Sequence, residues 1–220
     1  MKKPVILLLL LFLYLHSTAQ NGHDKHYYLG INSGVNLSRL TIDPSILSMF
    51  DFTTDQKFIY GYSGGIVFIY YSEPHIGVQM ELNYSQRGWT ENVDTNYYNR
   101  NLEYLEFPFL SHFDIGKKKL NLSITVGPTI SYMVSGREQT NITDENLMKS
   151  YYNRDIDNKL EGGVCIGLGV NKKFSRIGII QFECRFNQGL SNIFSKKNYP
   201  DLLASQNQVI NMKMSYLFGW

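Results

Sequence analysis

The segment LNLSITVGPTISYMVSG, from Leu120 to Gly136, carries an apolar side chain at almost every second position. The apolar positions are Leu120, Leu122, Ile124, Val126, Ile130, Tyr132 and Val134. The positions between them are small or polar: Asn121, Ser123, Thr125, Gly127, Thr129, Ser131 and Ser135. Because successive side chains of a strand point to opposite faces, this period of two separates an apolar face from a polar one, whereas a helix would mix them. The segment therefore predicts a long β-strand.

Seven further segments are predicted strands, which makes eight. The alternation is clearest from Leu29 to Leu37 and from Ile76 to Tyr84. The others lie at about Lys57 to Tyr71, Leu102 to Ile115, Leu160 to Asn171, Ile177 to Leu190 and Val209 to Trp220. Most exceed the five or six residues common in soluble sheets, and they are long enough for a tilted crossing of a membrane.

The predicted connections alternate between long and short. The long, polar ones are Thr41 to Gln56, Glu91 to Asn101, Arg137 to Lys159 and Ser191 to Gln208. The short ones are Ser72 to His75, Gly116 to Lys119 and Lys172 to Arg176. Outer-membrane barrels have long external loops and short periplasmic turns. The pattern predicts an all-β fold, an eight-stranded antiparallel up-and-down transmembrane β-barrel with both termini on the periplasmic side.

Residues 1–19 are a predicted signal peptide and residues 20–220 the barrel domain. Two lysines precede an apolar run from Val5 to Leu15, roughly half the length of a membrane-spanning helix, and small residues end at Ala19. Export to the cell outer membrane is therefore expected. Lys+Arg 21 and Asp+Glu 19 nearly balance, which disfavours nucleic acid as a partner. Cys165 and Cys184 fall on opposite faces of neighbouring strands, so we expect packing roles rather than a disulfide.

The barrel model requires mid-strand charges to face inward, since a lipid-facing Arg or Lys at mid-membrane costs about 2–4 kcal/mol. Six charged residues lie at strand positions that alternate with the apolar ones: Glu81, Glu106, Glu161, Glu183, Arg185 and Lys213. Because buried charges need partners, we predict an internal cluster in which Arg185 and Lys213 neutralise some of the four acids. An eight-stranded barrel is too narrow for an open pore, so the expected role of this cluster is structural.

Aromatic residues near predicted strand ends suggest girdles at the two membrane interfaces. The predicted outer set is Tyr60, Tyr62, Tyr104 and Tyr132, and the periplasmic set is Tyr70, Phe113 and Phe218. The chain ends YLFGW, with Tyr216, Phe218 and Trp220 on one face. A terminal aromatic of this kind is common in barrels inserted by the outer-membrane assembly machinery.

No residue is predicted to be catalytic, cofactor-binding or a metal ligand, and no cofactor is expected. His75 lies in a turn and His112 near a strand end beside Asp114, so both are predicted to be solvated or interfacial. Three residues before the first predicted strand could bind a metal only weakly and are predicted to make a poor site: His23, Asp24 and His26. A group of glycines lies in a continuous strand pattern rather than before a helix, so we expect it to leave interior space: Gly162, Gly163, Gly167 and Gly169.

The segment MELNYSQRGW, Met80 to Trp89, resembles the PorT-type family of outer-membrane β-barrels of Gram-negative bacteria. LEYLEFPFL, Leu102 to Leu110, and VGPTISYMVSG, Val126 to Gly136, are similar to its next two strands. The sequence departs from the family at Ser111 and His112, where apolar and basic residues are more usual. The resemblance implies an outer-membrane barrel without catalytic residues. Because the member that names the family is associated with protein secretion, the resemblance also suggests a role in secretion.

Several functions stay open at this point. The leading hypothesis is a non-enzymatic structural or interaction barrel, acting through its surface loops or its periplasmic turns. The alternatives are a narrow channel or small-ligand carrier, an outer-membrane enzyme, and a soluble periplasmic barrel with its apolar face inside. The expected partners are outer-membrane lipid, the barrel-assembly machinery and a secretion-system or surface protein, and the chain is expected to be a monomer.

Overall fold

The computed structural model describes residues 26–41, 56–93, 96–116, 120–142, 155–174, 178–195, 197–198 and 204–219. The predicted signal peptide lies outside these ranges, as do His23, Asp24 and Trp220.

Nine strands are assigned in the described residues. They are β1 (His26–Thr41), β2 (Gln56–Lys57), β3 (Ile59–Glu73), β4 (Ile76–Val93), β5 (Asn96–Ile115), β6 (Leu120–Thr140), β7 (Leu160–Phe174), β8 (Gly178–Gly189) and β9 (Gln206–Gly219). The short β2 and the longer β3 both pair with β4 and are separated only by Phe58. They therefore form one strand of the wall, and the wall has eight strands.

The sheet closes on itself. Each wall strand pairs antiparallel with its neighbours in the chain, and β1 pairs with β9 from Tyr28–Gly219 to Thr41–Gln206. The predicted fold class, an eight-stranded antiparallel up-and-down barrel, is confirmed. We call the rim with the three short connections the turn end and the opposite rim the loop end.

The two faces of the wall are chemically inverted relative to a soluble protein. Leu168 is 64% exposed and Phe182 58%, whereas Glu183 is 4% and Asn171 2% exposed. The same alternation runs along β6, whose apolar residues point outward as predicted. An apolar exterior around a polar interior excludes the soluble-barrel alternative, because water would face the apolar side. No helix in the described ranges is long and apolar enough to span a membrane.

Three strands extend farther at the loop end than the sequence predicts. The predicted loop from Glu91 to Asn101 is wrong, because β4 continues to Val93 and β5 begins at Asn96, with these two residues paired. The β6 strand likewise continues to Thr140, opposite Tyr98. Beyond the membrane, strands no longer need an apolar face, so the alternation fades there while the backbone ladder continues.

Candidate functional site

Four charged side chains from three strands meet in the middle of the lumen. The guanidinium of Arg185 donates to Glu81 Oε1 and Oε2 at 2.7 and 3.1 Å, and to Glu183 Oε2 at 2.8 Å. The Nζ of Lys213 donates to the two carboxylate oxygens of Glu81 at 2.5 and 2.6 Å. All four side chains are buried. With two acids and two bases, this central ion cluster is electrically balanced, as buried charges require.

A second ion cluster lies nearer the loop end and is centred on Arg87. Its guanidinium pairs with Glu106 and, at 3.0 Å, with Glu161 Oε1. Asn207 Nδ2 donates to the other oxygen of Glu161 at 2.5 Å. The predicted neutralisation by Arg185 and Lys213 therefore holds for Glu81 and Glu183, while Glu106 and Glu161 use Arg87. Arg87 lies an even number of residues after Glu81 on the same strand and therefore also faces the lumen. It lies beyond the predicted end of that strand at Tyr84.

The glycines of β7 make room for the central ion cluster. A Cβ on Gly167 would lie 2.6 Å from Glu183 Oε1 and 2.9 Å from Arg185 Cγ. Inward-facing Gly163 and Gly169 are similarly crowded by facing side chains and backbone, so the prediction of interior space is confirmed for these three. The prediction is wrong for Gly162, which alternates with the inward-facing residues and so faces outward. A Cβ on Gly162 would meet Ser191 Oγ at 3.6 Å, an ordinary contact distance.

His112 is fully buried, with 0% exposure, so its predicted solvated or interfacial position is wrong. Its Nδ1 lies 2.7 Å from Gln79 Oε1, and its Nε2 lies 3.1 Å from both Asp114 Oδ1 and the Tyr71 hydroxyl. Asn171 Nδ2 donates to Asp114 Oδ1 at 2.7 Å. Alternation places His112 inward, but its partners Tyr71 and Gln79 come from β3 and β4, and the Asn171 that binds Asp114 comes from β7. No local pattern identifies these contacts. His75, in the turn after β3, is exposed as predicted.

An apolar cluster closes the lumen at the loop end. It consists of Leu40, Trp89, Leu102, Tyr104, Met133, Ile193 and Phe194. The segment after β8 folds inward, and the ring of Phe194 meets that of Trp89 edge-on at 6.3 Å. Backbone bonds hold the segment, since Ile193 N donates to Ser205 O at 2.9 Å. The predicted girdle position of Tyr104 is wrong, because this residue is 0% exposed inside the barrel.

A second apolar cluster closes the turn end. It consists of Val67, Ile69, Tyr71, Ile179 and Leu217, with Tyr28 packed against it. Between the closed ends, a cavity of about 10 Å³ lies among side chains of both ion clusters, Glu106 and Arg185 included. A cavity of that size holds about one water molecule. The described part of the lumen is therefore packed, with an apolar layer at each end and polar layers between them.

The outward face carries the remaining predicted features. Tyr60 is 81% exposed at the loop end, and Tyr62 and Tyr132 are also exposed; at the turn end Phe113 and Phe218 are exposed and Tyr70 is half-buried. Cys165 is buried inside and Cys184 is exposed outside, and both are free thiols, as predicted. The described residues contain no group of His, Cys, Asp and Glu that could hold a metal ion.

A closed wall with an apolar exterior and a packed polar lumen defines a membrane-spanning β-barrel. The chain belongs to the family described as outer membrane protein beta-barrel domain, whose model matches residues 18–195. It is therefore an outer-membrane protein. The finer assignment to PorT-type members stays a hypothesis.

Solved outer-membrane barrels resemble the chain at low identity. Ail of Yersinia pestis, in complex with the heparin analogue sucrose octasulfate, is 14% identical over 87% of this chain and 99% of its own, with a TM-score of 0.42. Neisserial surface protein A is 8% identical over 89% and 100%, with a TM-score of 0.43. Outer membrane protein W of E. coli is 12% identical over 90% and 100%, with a TM-score of 0.38. No curated protein matches the sequence.

Proposed function

We propose that this protein is a non-conducting barrel that acts through contacts of its exposed ends rather than by transport. The observation that carries the proposal is the packing of the lumen. Apolar layers close both ends, ion pairs fill the middle, and the cavity between the ion clusters holds about one water molecule. A solute would have to break buried ion pairs to pass, which leaves charges without partners.

Planar-bilayer recording tests the absence of transport. The folded protein is expected to give no unitary current steps, with insertion verified by its heat-modifiable mobility on gels. Reproducible current steps from the unmodified chain would establish a channel and refute the proposal. A variant with the outward-facing Met212→Leu serves as the matched control, since it leaves the lumen unchanged.

We also propose that the partner is a protein, at the cell surface or in a secretion machine. The support is the similarity of Met80 to Trp89, and of the two segments after it, to PorT-type members. A photo-crosslinking side chain placed at Asn158, exposed at the loop end, or at His75, exposed at the turn end, distinguishes the two locations in whole cells. A loop-end adduct indicates a surface partner and a turn-end adduct a secretion machine. The absence of both would refute the interaction role.

The proposed role is non-enzymatic. Among the described residues, Tyr71, His112 and Asp114 come nearest to a catalytic constellation. The imidazole is, however, fully buried behind an apolar layer, where a substrate has no access. His112→Gln is therefore expected to leave the lipid and surface-protein profile of the cell unchanged. A specific change in that profile, with the barrel still folded, would favour an enzyme.

A further inference from the structure

We infer that the outward face of the wall holds one phospholipid with an anionic headgroup, in an apolar groove that leads to Lys172. The groove has a volume of about 600 Å³ and lies on the outside of β7, β8 and β9. This volume falls within the range of about 300–1,000 Å³ that is usual for small-molecule sites. The outward side chains that line it include Val35, Leu168, Val170, Phe182, Cys184 and Met212.

The groove exists because one short side chain lies among longer ones. Cys184 on β8 is directly opposite Met212 on β9 and Leu168 on β7. Phe182 follows on the same face of β8 and is 58% exposed. The cysteine side chain ends at its sulfur, whereas the other three extend further from the sheet, so a recess opens above Cys184. An acyl chain in this recess gains dispersion contacts on several sides rather than on one.

A cation lies beyond the turn-end edge of the groove. Lys172 comes two residues after Val170 on β7, so both point outward, with their Cα atoms about 7 Å apart. The Nζ of Lys172 lies 5.2 Å from the centre of the Phe174 ring, one further step toward the rim. A lysine in this position lays its apolar stem along the wall and keeps its ammonium at the membrane interface. The groove therefore has a positive charge at one end.

The order of these features matches a phospholipid of the periplasmic leaflet. Outer-membrane barrels have their short turns on the periplasmic side, which places the turn end there. From Lys172 to Leu168 the strand spans about 13 Å, against about 15 Å for half of the hydrocarbon core. A phosphate beside Lys172 thus allows an acyl chain to run along the groove toward the middle of the membrane.

The same features favour an anionic phospholipid over other occupants of the groove. A zwitterionic headgroup brings its own cation, so its phosphate gains less from Lys172 than the phosphate of an anionic headgroup does. A second copy of the chain, packed groove to groove, would leave both recesses unfilled and would lose the dispersion contacts that a chain in the groove makes.

Native mass spectrometry of the full chain, folded in detergent and titrated with phosphatidylglycerol, tests the inference. We expect one tightly retained lipid per chain. Lys172→Gln should weaken its retention about fivefold, the effect of one basic residue near an anionic lipid surface. The matched control is Lys173→Gln, which removes the same charge one residue away. The Nζ of Lys173 lies 5.7 Å from the centre of the Tyr71 ring, inside the turn end, so retention should stay unchanged.

A second pair of variants tests the groove itself. Cys184→Phe fills the recess and should abolish tight retention. Val126→Phe, on the outward face of β6 and outside the groove, should leave it unchanged. Folding of each variant is verified by heat-modifiable mobility on gels. If Cys184→Phe does not fold, the two lysine variants decide the question.

Three results would overturn the inference. Equal retention by all variants would mean that lipid covers the wall without a specific site. Equal retention of phosphatidylethanolamine would remove the preference for an anionic headgroup. A lipid-free dimer that Cys184→Phe disrupts would show that a second copy of the chain, rather than a lipid, occupies the groove.

Discussion

Replacing Arg185 by methionine tests whether the central ion cluster stabilises the barrel. The guanidinium contacts Glu81 at 2.7 and 3.1 Å and Glu183 at 2.8 Å. Without it, two buried carboxylates face the single ammonium of Lys213, and the cluster changes from neutral to a net charge of −1. Removing one partner of a buried ion pair costs about 3–5 kcal/mol. We therefore expect the free energy of unfolding to fall by that amount, which lowers the folding equilibrium constant at least about a hundredfold.

Urea unfolding in lipid vesicles, followed by tryptophan fluorescence and gel mobility, measures this loss. The double variant Arg185→Met with Glu183→Gln restores electrical balance, because Glu81 and Lys213 remain as a pair. It is expected to recover at least half of the lost stability. Met212→Leu, on the outward face of the adjacent strand, should change stability by less than about 1.5 kcal/mol. A loss below about 1 kcal/mol for Arg185→Met, or no recovery in the double variant, would refute the reasoning.

Three further predictions address the wall and its ends. Leu168→Arg places a charge on the lipid face and should cost about 2–4 kcal/mol in the same unfolding assay, whereas an unchanged midpoint would contradict the lipid-facing assignment. A membrane-permeant thiol reagent should label Cys184 and spare Cys165 until the barrel unfolds, which mass spectrometry of the peptides would establish. Gly178 has a φ of +112°, so Gly178→Ala should destabilise the barrel by about 1–2 kcal/mol, a loss that urea unfolding detects.

The period of two accounts for most of what the sequence predicts correctly. It places Glu81 and Glu183 inside and Leu168 outside, because lipid excludes charges and water excludes apolar surface. It also identifies Arg87, three residues past the predicted end of its strand at Tyr84, once the alternation is continued. The ends of strands are harder to predict, since beyond the membrane either face can be polar.

Tyr104 shows what happens when residue type is given more weight than period. Glu106 lies two residues further along the strand and is correctly predicted to face inward, so the alternation alone places Tyr104 inside as well. Its assignment to the girdle followed from the preference of tyrosine for membrane interfaces. In the structure its hydroxyl accepts a hydrogen bond from Asn207 Nδ2, 3.2 Å away, within the loop-end cluster. A lumen therefore also accommodates the amphipathic aromatic residues that favour interfaces.

Contacts across the lumen could not be predicted from local pattern. Ile193 and Phe194 lie in a segment without alternation, and only their approach to Trp89 reveals that they close the barrel. The surroundings of His112 similarly combine residues from strands that are far apart in the chain, such as Tyr71 and Asn171. A single sequence indicates which side chains enter the lumen, but not which of them meet there.

The junction between β1 and β9 has a consequence for how the molecule is made. It joins the first and last described strands, with pairs such as Arg39 and Gln208 separated by 169 residues in the chain. Until β9 arrives, the sheet has two open edges, and such edges readily pair with other chains. During biogenesis the first seven wall strands must therefore be kept from pairing with other chains until β9, the eighth wall strand, completes the barrel. A chain without β9 is expected to aggregate rather than form a smaller barrel.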